Sequence, residues 1–254
     1  NRFILHNSRT EMQSRSETLF HFTKKIEHLL SILDNGFWPR YCAEDLSWAH
    51  KTGKKIEHAY PMTCLCDIPL TRIIKHTETY GKFGIGVKKE WAKKNKFSPV
   101  LYIEKETPMQ KSVKELIKLT QTPENIKDKT LRKNLLTILS HTKPTIGKNR
   151  GDSADKPETH FYKELEWRHI ATSDSIKKTL TDLDEESISK ANNQTHKHCL
   201  LKIQPGDINF IIVEKESDIE TILQKFDEIY NEISLNKKIL TTRIISTERI
   251  LTDF

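Results

Sequence analysis

The chain has 254 residues, of which 30% are charged and 35% hydrophobic, and its formal net charge is +7. This length is enough to bury one sizeable core, and no apolar run approaches the length of a membrane span. Four cysteines without a repeated C-x-x-C or H-x-x-x-H pattern argue against zinc, so we expect free thiols, no metal and a cytoplasmic location. The basic balance permits attraction to nucleic acid.

The first half of the sequence predicts short strands that alternate with helices. Residues 1–18 are polar and predict a flexible segment, and residues 19–254 then form one domain. In the predicted strand 19–23 (LFHFT), His21 and Thr23 share one face. The elements that follow are an amphipathic helix ending at Asn35-Gly36, an irregular and partly helical stretch at 37–60, a strand at 61–70 (PMTCLCDIPL), a helix at 70–80 carrying His76 and Tyr80, a strand at 83–87, a short helix at 88–96 and a strand at 99–104.

The second half adds a helical pair and a long loop. Periodic apolar residues at 107–142 predict two helices inserted at one edge of the sheet. Residues 143–158 lack such periodicity and predict a mobile or functional loop. Beyond it we expect strands at 199–203 and 208–213, a helix capped by Ser217, and a final strand and turn. Seven or eight strands with irregularly spaced helices indicate an α+β fold with a mostly antiparallel or split sheet.

Three glycines punctuate the segment YGKFGIGVKKEW at 80–91. Gly81, Gly84 and Gly86 allow sharp turns and a close approach of the backbone to a ligand. Their spacing is not the G-x-G-x-x-G of a dinucleotide-binding turn, and no strand-turn-helix context surrounds them. We therefore exclude a Rossmann-type site.

The segment FYKELEWRHI at 161–170 carries the most unusual combination of charges. If it is a strand, Glu164, Glu166 and Arg168 project to one side while Leu165 and Trp167 anchor the other side in the core. Two interpretations remain open. The charges pair along a surface strand, or a rigid strand holds a carboxylate, aligned by Arg168 or by the neighbouring carboxylate, at the edge of a cleft.

Three patches of the sequence together resemble a known family. LFHFT, CLCDIPL with the following YGKFGIGVKKEW, and FYKELEWRHI are similar to the AbiGi family of bacterial abortive-infection proteins, over most of the chain from residue 19 onward. More remotely, a His, a Tyr and a Glu on successive elements resemble the H-Y-E arrangement of ADP-ribosyltransferases. The H-x-T opening is similar to that of DarT-like enzymes that modify DNA.

This resemblance implies an ADP-ribosyltransferase-like split sheet with flanking helices, holding NAD as a substrate in a cleft. Glu166 would be the catalytic carboxylate and Glu164 would position the acceptor, although either carboxylate could be the catalytic one. The remaining implied roles are adenosine binding by His21 and Thr23, stacking on nicotinamide by Tyr80, alignment of Glu166 or phosphate binding by Arg168, and substrate contacts by Lys148 and Arg150 in the 143–158 loop.

The chemistry of that reaction accounts for the carboxylates. Cleavage of the bond between nicotinamide and ribose builds positive charge on the sugar, which an ionised carboxylate stabilises most in the transition state. The implied function is an anti-phage toxin that modifies RNA or DNA, with a cognate antitoxin from the same operon as its partner. The alternative is a non-catalytic antitoxin, because the family has carried that description, with a cognate toxin as its partner. A metal nuclease built from Asp67, His76 and Glu166 has no motif to support it.

Overall fold

The computed structural model describes residues 16–50, 54–149, 152–153, 155–230 and 234–253. The strands are β1 (Thr18–Thr23), β2 (Arg40–Asp45), β3 (Glu57–Cys66), β4 (Phe83–Lys88), β5 (Ser98–Pro99), β6 (Leu101–Ile103), β7 (Thr142–Pro144), β8 (Ile146–Gly147), β9 (Thr159–His160), β10 (Glu166–Ile170), β11 (Ile208–Val213) and β12 (Ile244–Ser246). The α-helices are α1 (Ile26–Asn35), α2 (Ile73–Tyr80), α3 (Lys89–Lys94), α4 (Pro108–Leu119), α5 (Lys129–Ser140), α6 (Glu185–His198), α7 (Ile219–Ile229), α8 (Leu235–Thr241) and α9 (Thr247–Asp253).

The predicted α+β class with a mostly antiparallel sheet is confirmed. Eight strands form one sheet in the order β12-β11-β4-β1-β3-β10-β5, and β2 pairs along β3. Within the described chain the pairs of this sheet are antiparallel except β11 with β12. The two remaining pairs, β6 with β7 and β8 with β9, stand apart from it.

Strand β3 holds the sheet together, and one of its edges is divided between two partners. Strand β10 pairs with β3 along one edge from Met62 to Cys66. On the other edge, β2 pairs with the first part of β3, and β1 meets it through the single registered pair Phe20 and Cys66. Between these partners the ring of His21 hydrogen-bonds through Nδ1 to the carbonyl of Cys64 at 2.8 Å. The sheet therefore opens between β1 and β3 in the part of β3 that lies between Met62 and Cys66.

Helices cover both faces of the sheet. On one face α1, α3 and α7 bury Leu29, Trp91 and Phe226 against strand residues such as Leu19. On the other face α2 and α9 pack near β1, and α4 and α5 pack near the start of β3. The amphipathic spacing of the helices places these apolar side chains on the side that faces the sheet. Full burial of one large apolar side chain contributes about 1.5–3 kcal/mol to stability.

The glycines of β4 serve packing. A Cβ added at Gly84 would lie 2.7 Å from the ring of Phe22, and one added at Gly86 would lie 2.8 Å from the ring of Phe20. Both rings therefore lie directly over β4. Gly81 has φ +117° and ends α2 where the chain passes the carbonyl of Thr23, so it alone of the three needs a glycine for backbone conformation. The sequence predicts the close approach of a ligand to these glycines, but the space beside Gly84 and Gly86 is occupied by the rings of Phe22 and Phe20.

Several predicted elements are confirmed and several are wrong. The helical pair within 107–142 and the strands at 19–23, 83–87 and 208–213 are present. The described part of the stretch at 37–60 contains the predicted helical turn, at Ser47–Ala49, but it is more regular than predicted because it forms β2 and the start of β3. Two other expectations differ: 199–203 contributes only an isolated bridge between Leu201 and Phe37, and the strand expected at 99–104 is divided into β5 and β6.

The ends of the predicted segments differ as well. β1 begins at Thr18, the last residue of the segment predicted to be flexible, whose first fifteen residues lie outside the described part. The loop predicted at 143–158 contains β8 and most of β7, with residues 150, 151 and 154 outside the description.

Candidate functional site

The site begins where the chain enters β10, and it corrects the predicted strand 161–170. Phe161–Glu164 is a 3-10 helix, and Leu165 follows with a left-handed backbone at φ 45°. Leu165 is 49% exposed and does not anchor the core as predicted. The strand begins only at Glu166. The turn at Leu165 brings the side chains of Glu164 and Glu166 to the same buried place.

Arg168 is the centre of a buried ion-pair network. Its side chain is fully buried, and Nε and Nη2 donate to the two carboxylate oxygens of Glu166 at 2.7 and 3.1 Å. Nη2 also donates to Glu44 Oε1 at 2.7 Å, and Nη1 donates to the carbonyl of Ser140 at 2.9 Å. This bidentate geometry with further acceptors is what a buried guanidinium requires. The alternation that places Glu166 and Arg168 on one face is confirmed, but that face is buried.

Lys143 completes the network from β7. Its Nζ lies 3.1 Å from Glu164 Oε2 and 3.3 Å from Glu166 Oε2. The same ammonium lies 4.5 Å from the ring centre of Phe161, a cation–π distance. Three carboxylates and two cations thus meet in one place, and each charge has a partner of opposite sign.

Two tyrosines orient the carboxylates further. The hydroxyl of Tyr80 donates to Glu164 Oε1, and the ring of Tyr80 stacks on His76 with centres 4.3 Å apart. The hydroxyl of Tyr102 accepts the backbone N–H of Glu166 at 2.9 Å. The residue predicted to stack on nicotinamide is therefore already stacked on its own helix and hydrogen-bonded to a carboxylate.

The charges shift one another's pKa values. Burial by itself raises the pKa of Glu166, but Arg168 and Lys143 outweigh it and lower that pKa to about 2. Burial would lower the pKa of Lys143, yet the surrounding carboxylates raise it above its ordinary value. Glu44 differs, because its burial outweighs the attraction of Arg168 and raises its pKa. Glu166 is therefore held ionised, and Glu44 accepts a proton more readily than Glu166 does.

Two cavities meet at this network. The first, of about 220 Å³, is lined by the rings of β1 and α2 together with Cys64, Cys66, Glu164 and Glu166. The second, of about 540 Å³, is lined by Trp48, Phe161 and several charged side chains. Glu44, Lys143 and Asn149 line both.

The predicted site residues divide into three groups. His21, Tyr80, Glu164 and Glu166 line the first cavity, and burial lowers the pKa of His21. Lys148 lines the second cavity. Thr23 and Arg168 line neither: Thr23 donates its hydroxyl to the carbonyl of Lys25 at 2.8 Å, and Arg168 lies behind the carboxylates. Arg150 lies outside the described residues.

Sequence reasoning missed two members of the network. Glu44 lies on β2, in the stretch interpreted as irregular, and Lys143 opens the stretch interpreted as a loop. The only signal available for Glu44 was the short run RYCAED, whose apolar residues Tyr41, Cys42 and Ala43 do not alternate with polar ones. Lys143 had none, because its position depends on pairing of β6 with β7, which brings together residues 41 positions apart, such as Leu101 and Thr142.

Neither a metal site nor a membrane span emerges from the described parts of the chain. No cluster of three or more His, Cys, Asp or Glu side chains there is arranged to hold a metal ion. No helix there combines the length and apolar character needed to cross a membrane. The trio considered for a metal nuclease, Asp67, His76 and Glu166, is not arranged to hold a metal ion, and Asp67 pairs with Lys89 at 2.8 Å.

Comparison with known proteins identifies the family of this sequence. The family described as "Putative abortive phage resistance protein AbiGi, antitoxin" matches residues 35–214. The chain belongs to the AbiGi family. A curated member, the abortive phage resistance protein AbiGi of Lactococcus lactis subsp. cremoris, is 26% identical over 205 residues, covering 73% of this chain and 81% of that protein. No solved structure matches. The resemblance to AbiGi is thus confirmed, and the match includes the β2–β3 hairpin and all of the ion-pair network.

Proposed function

We propose that this AbiGi-family chain acts in abortive phage resistance as a non-catalytic antitoxin, which binds and restrains a cognate toxin. One observation carries the choice. All four oxygens of Glu164 and Glu166 accept from the chain's own donors: Arg168 and Lys143 on Glu166, Tyr80 and Lys143 on Glu164. A carboxylate that stabilises a ribosyl cation needs an oxygen lone pair directed at the sugar, and each of these oxygens already accepts at least one donor of the chain itself.

Energetics support the same assignment. Removal of one partner from a buried ion pair lowers stability by about 3–5 kcal/mol. A network of this kind is therefore compatible with a purely structural role. The network connects β2, β7 and β10 through side chains, and it thereby fixes the part of the sheet that the helical pair α4–α5 covers. In an antitoxin this rigid core would present a defined surface to the toxin.

Coexpression tests this proposal directly. The protein encoded beside this chain in its genome is expressed in bacteria alone and together with the chain. We expect growth arrest by the neighbour alone, rescue by this chain, and a stoichiometric complex on size-exclusion chromatography. Growth arrest by this chain alone, relieved by the neighbour, would assign the two roles the other way round and overturn the proposal.

A second candidate function is NAD-dependent ADP-ribosyl transfer, with RNA or DNA as the acceptor. The observation that favours it is that His21, Tyr80, Glu164 and Glu166 all line one cavity, at the opening of the sheet between β1 and β3. Together with the adjoining cavity of about 540 Å³, this space is within the range of small-molecule sites. In this function a substrate hydroxyl would donate a hydrogen bond to Glu164 or Glu166 in place of Tyr80 or Lys143.

Release of nicotinamide from NAD separates the two functions. The purified chain is compared with Glu166→Gln and with His21→Asn, which keeps a donor near Cys64 O, each with and without added RNA and DNA. The antitoxin predicts no release under any of these conditions. Release that both substitutions abolish, in variants whose circular dichroism shows them folded, would establish the transferase.

A further inference from the structure

The helical pair α4–α5 exposes an unusual concentration of apolar side chains. Ten large hydrophobic side chains are exposed in the described residues, and five of them lie within 109–138: Met109, Leu116, Leu119, Ile126 and Ile138. Single exposed apolar residues are normal on a soluble protein, but a cluster marks an interaction site. On its inner side the helical pair packs against the core through Val113 and Leu135.

The helical period places two of these residues beside the buried face of α4. Met109 and Leu116 are seven positions apart, so they lie within about 20° of each other around the helix axis. Val113 and Ile117 mark the buried face, next to this stripe. The lysines Lys111 and Lys118 lie about 180° around the axis from this stripe, at the other edge of the exposed face, and the exposed Leu119 lies between the two. The helix therefore has an inward side, an exposed apolar stripe and a basic flank.

The helical pair is also strongly basic. Residues Pro108–Ser140 contain seven cations and three acids; the cations are Lys111, Lys114, Lys118, Lys127, Lys129, Arg132 and Lys133. None of the seven forms an ion pair with another described residue. Of the acids, Asp128 is occupied as the cap of α5. Elsewhere exposed lysines do find carboxylates, as Lys190 does with Glu186.

We infer that α4 and α5 form a docking surface for an acidic protein partner, which in the proposed function is the cognate toxin. The unpaired cations fit an acidic surface, and the exposed apolar side chains on the same solvent-facing side of the helical pair fit the apolar part of a protein interface. A second copy of this chain would bring like charges together. Nucleic acid would pair with the lysines but would leave Met109 and Leu116 without apolar contacts.

This inference rests on the proposed antitoxin function, and a charge-reversal experiment tests the two separately. Lys111→Glu/Lys118→Glu is compared with Lys177→Glu/Lys178→Glu, a matched pair of exposed lysines outside the helical pair. The probe is the purified protein encoded beside the chain, and binding is measured by biolayer interferometry. We expect the helix variant to weaken binding by about tenfold or more and the control to change it less than about twofold. Both variants should keep the wild-type melting temperature.

A photo-crosslinking amino acid tests the apolar stripe. Placed at Leu116, it should crosslink to the partner, whereas at Leu235, which is 69% exposed on α8, it should not. Equal binding by both lysine variants, with no crosslink at Leu116, would overturn the docking surface while the antitoxin function stands. No binding by the wild-type chain and no rescue of growth would overturn the proposed function, and the docking surface with it.

Discussion

The substitution Glu166→Gln tests whether the buried network is structural. Glu166 is 7% exposed, and its oxygens accept from Arg168 and Lys143. A glutamine of the same shape keeps one acceptor but removes the charge, leaving both cations with fewer partners in a buried place. A catalytic carboxylate with no structural duty would leave the free energy of unfolding unchanged.

The magnitude follows from the pKa of Glu166. The difference between its ordinary value of 4.5 and about 2, at about 1.4 kcal/mol per pKa unit, corresponds to about 3 kcal/mol. The native pKa lies below the unfolded one, so this stabilisation is complete above about pH 5 and is lost as the pH falls toward 2. We therefore expect Glu166→Gln to lower the free energy of unfolding by about 3 kcal/mol at pH 7, and by much less at pH 3.

Urea unfolding followed by tryptophan fluorescence at both pH values measures this difference. The control is Glu78→Gln, an exposed glutamate on α2, for which we expect a change within about 0.5 kcal/mol. Glu44→Gln is the second comparison. Burial raises the pKa of Glu44, so neutralising it should cost less than neutralising Glu166. A Glu166→Gln protein as stable as wild type at pH 7 would refute the structural assignment and favour the catalytic one.

Three further outcomes follow from the same region. Gly86→Ala places a methyl 2.8 Å from a phenylalanine ring and should destabilise by about 1–3 kcal/mol in urea unfolding, whereas Gly206→Ala, with open space around it, should not. Tyr80→Phe removes the hydrogen bond to Glu164 and should lower the free energy of unfolding by about 1.5–3 kcal/mol; an unchanged value would mean that the hydroxyl faces solvent. Burial lowers the pKa of His76 to about 4, so its ring protons should titrate near pH 4 by NMR, with stability falling as the pH drops from 6.5 to 4. Titration near 6.5 would contradict the packing of α2.

The elements that the sequence determined are those with a local physical cause. The amphipathic spacing of α1, α4, α5 and α7 predicts helices because a helix repeats its face every 3.6 residues, and each of these helices is present. The two-residue period of a strand likewise places Glu166 and Arg168 on one face, as the structure has them. The resemblance to AbiGi, based on short local patches, is confirmed by the family match.

The environment of those charges was decided by the tertiary structure. Glu44 reaches Arg168 across 124 residues of sequence and Lys143 reaches Glu164 across 21, and no local pattern encodes such contacts. Leu165 adopts a left-handed backbone that a non-glycine residue seldom adopts, so alternation assigned it to the core when it is exposed. A sequence shows that charges share a face. Whether that face meets water or a buried partner depends on which distant strands pair beside it, and here β2 and β7 convert a charged strand face into an enclosed ion-pair network.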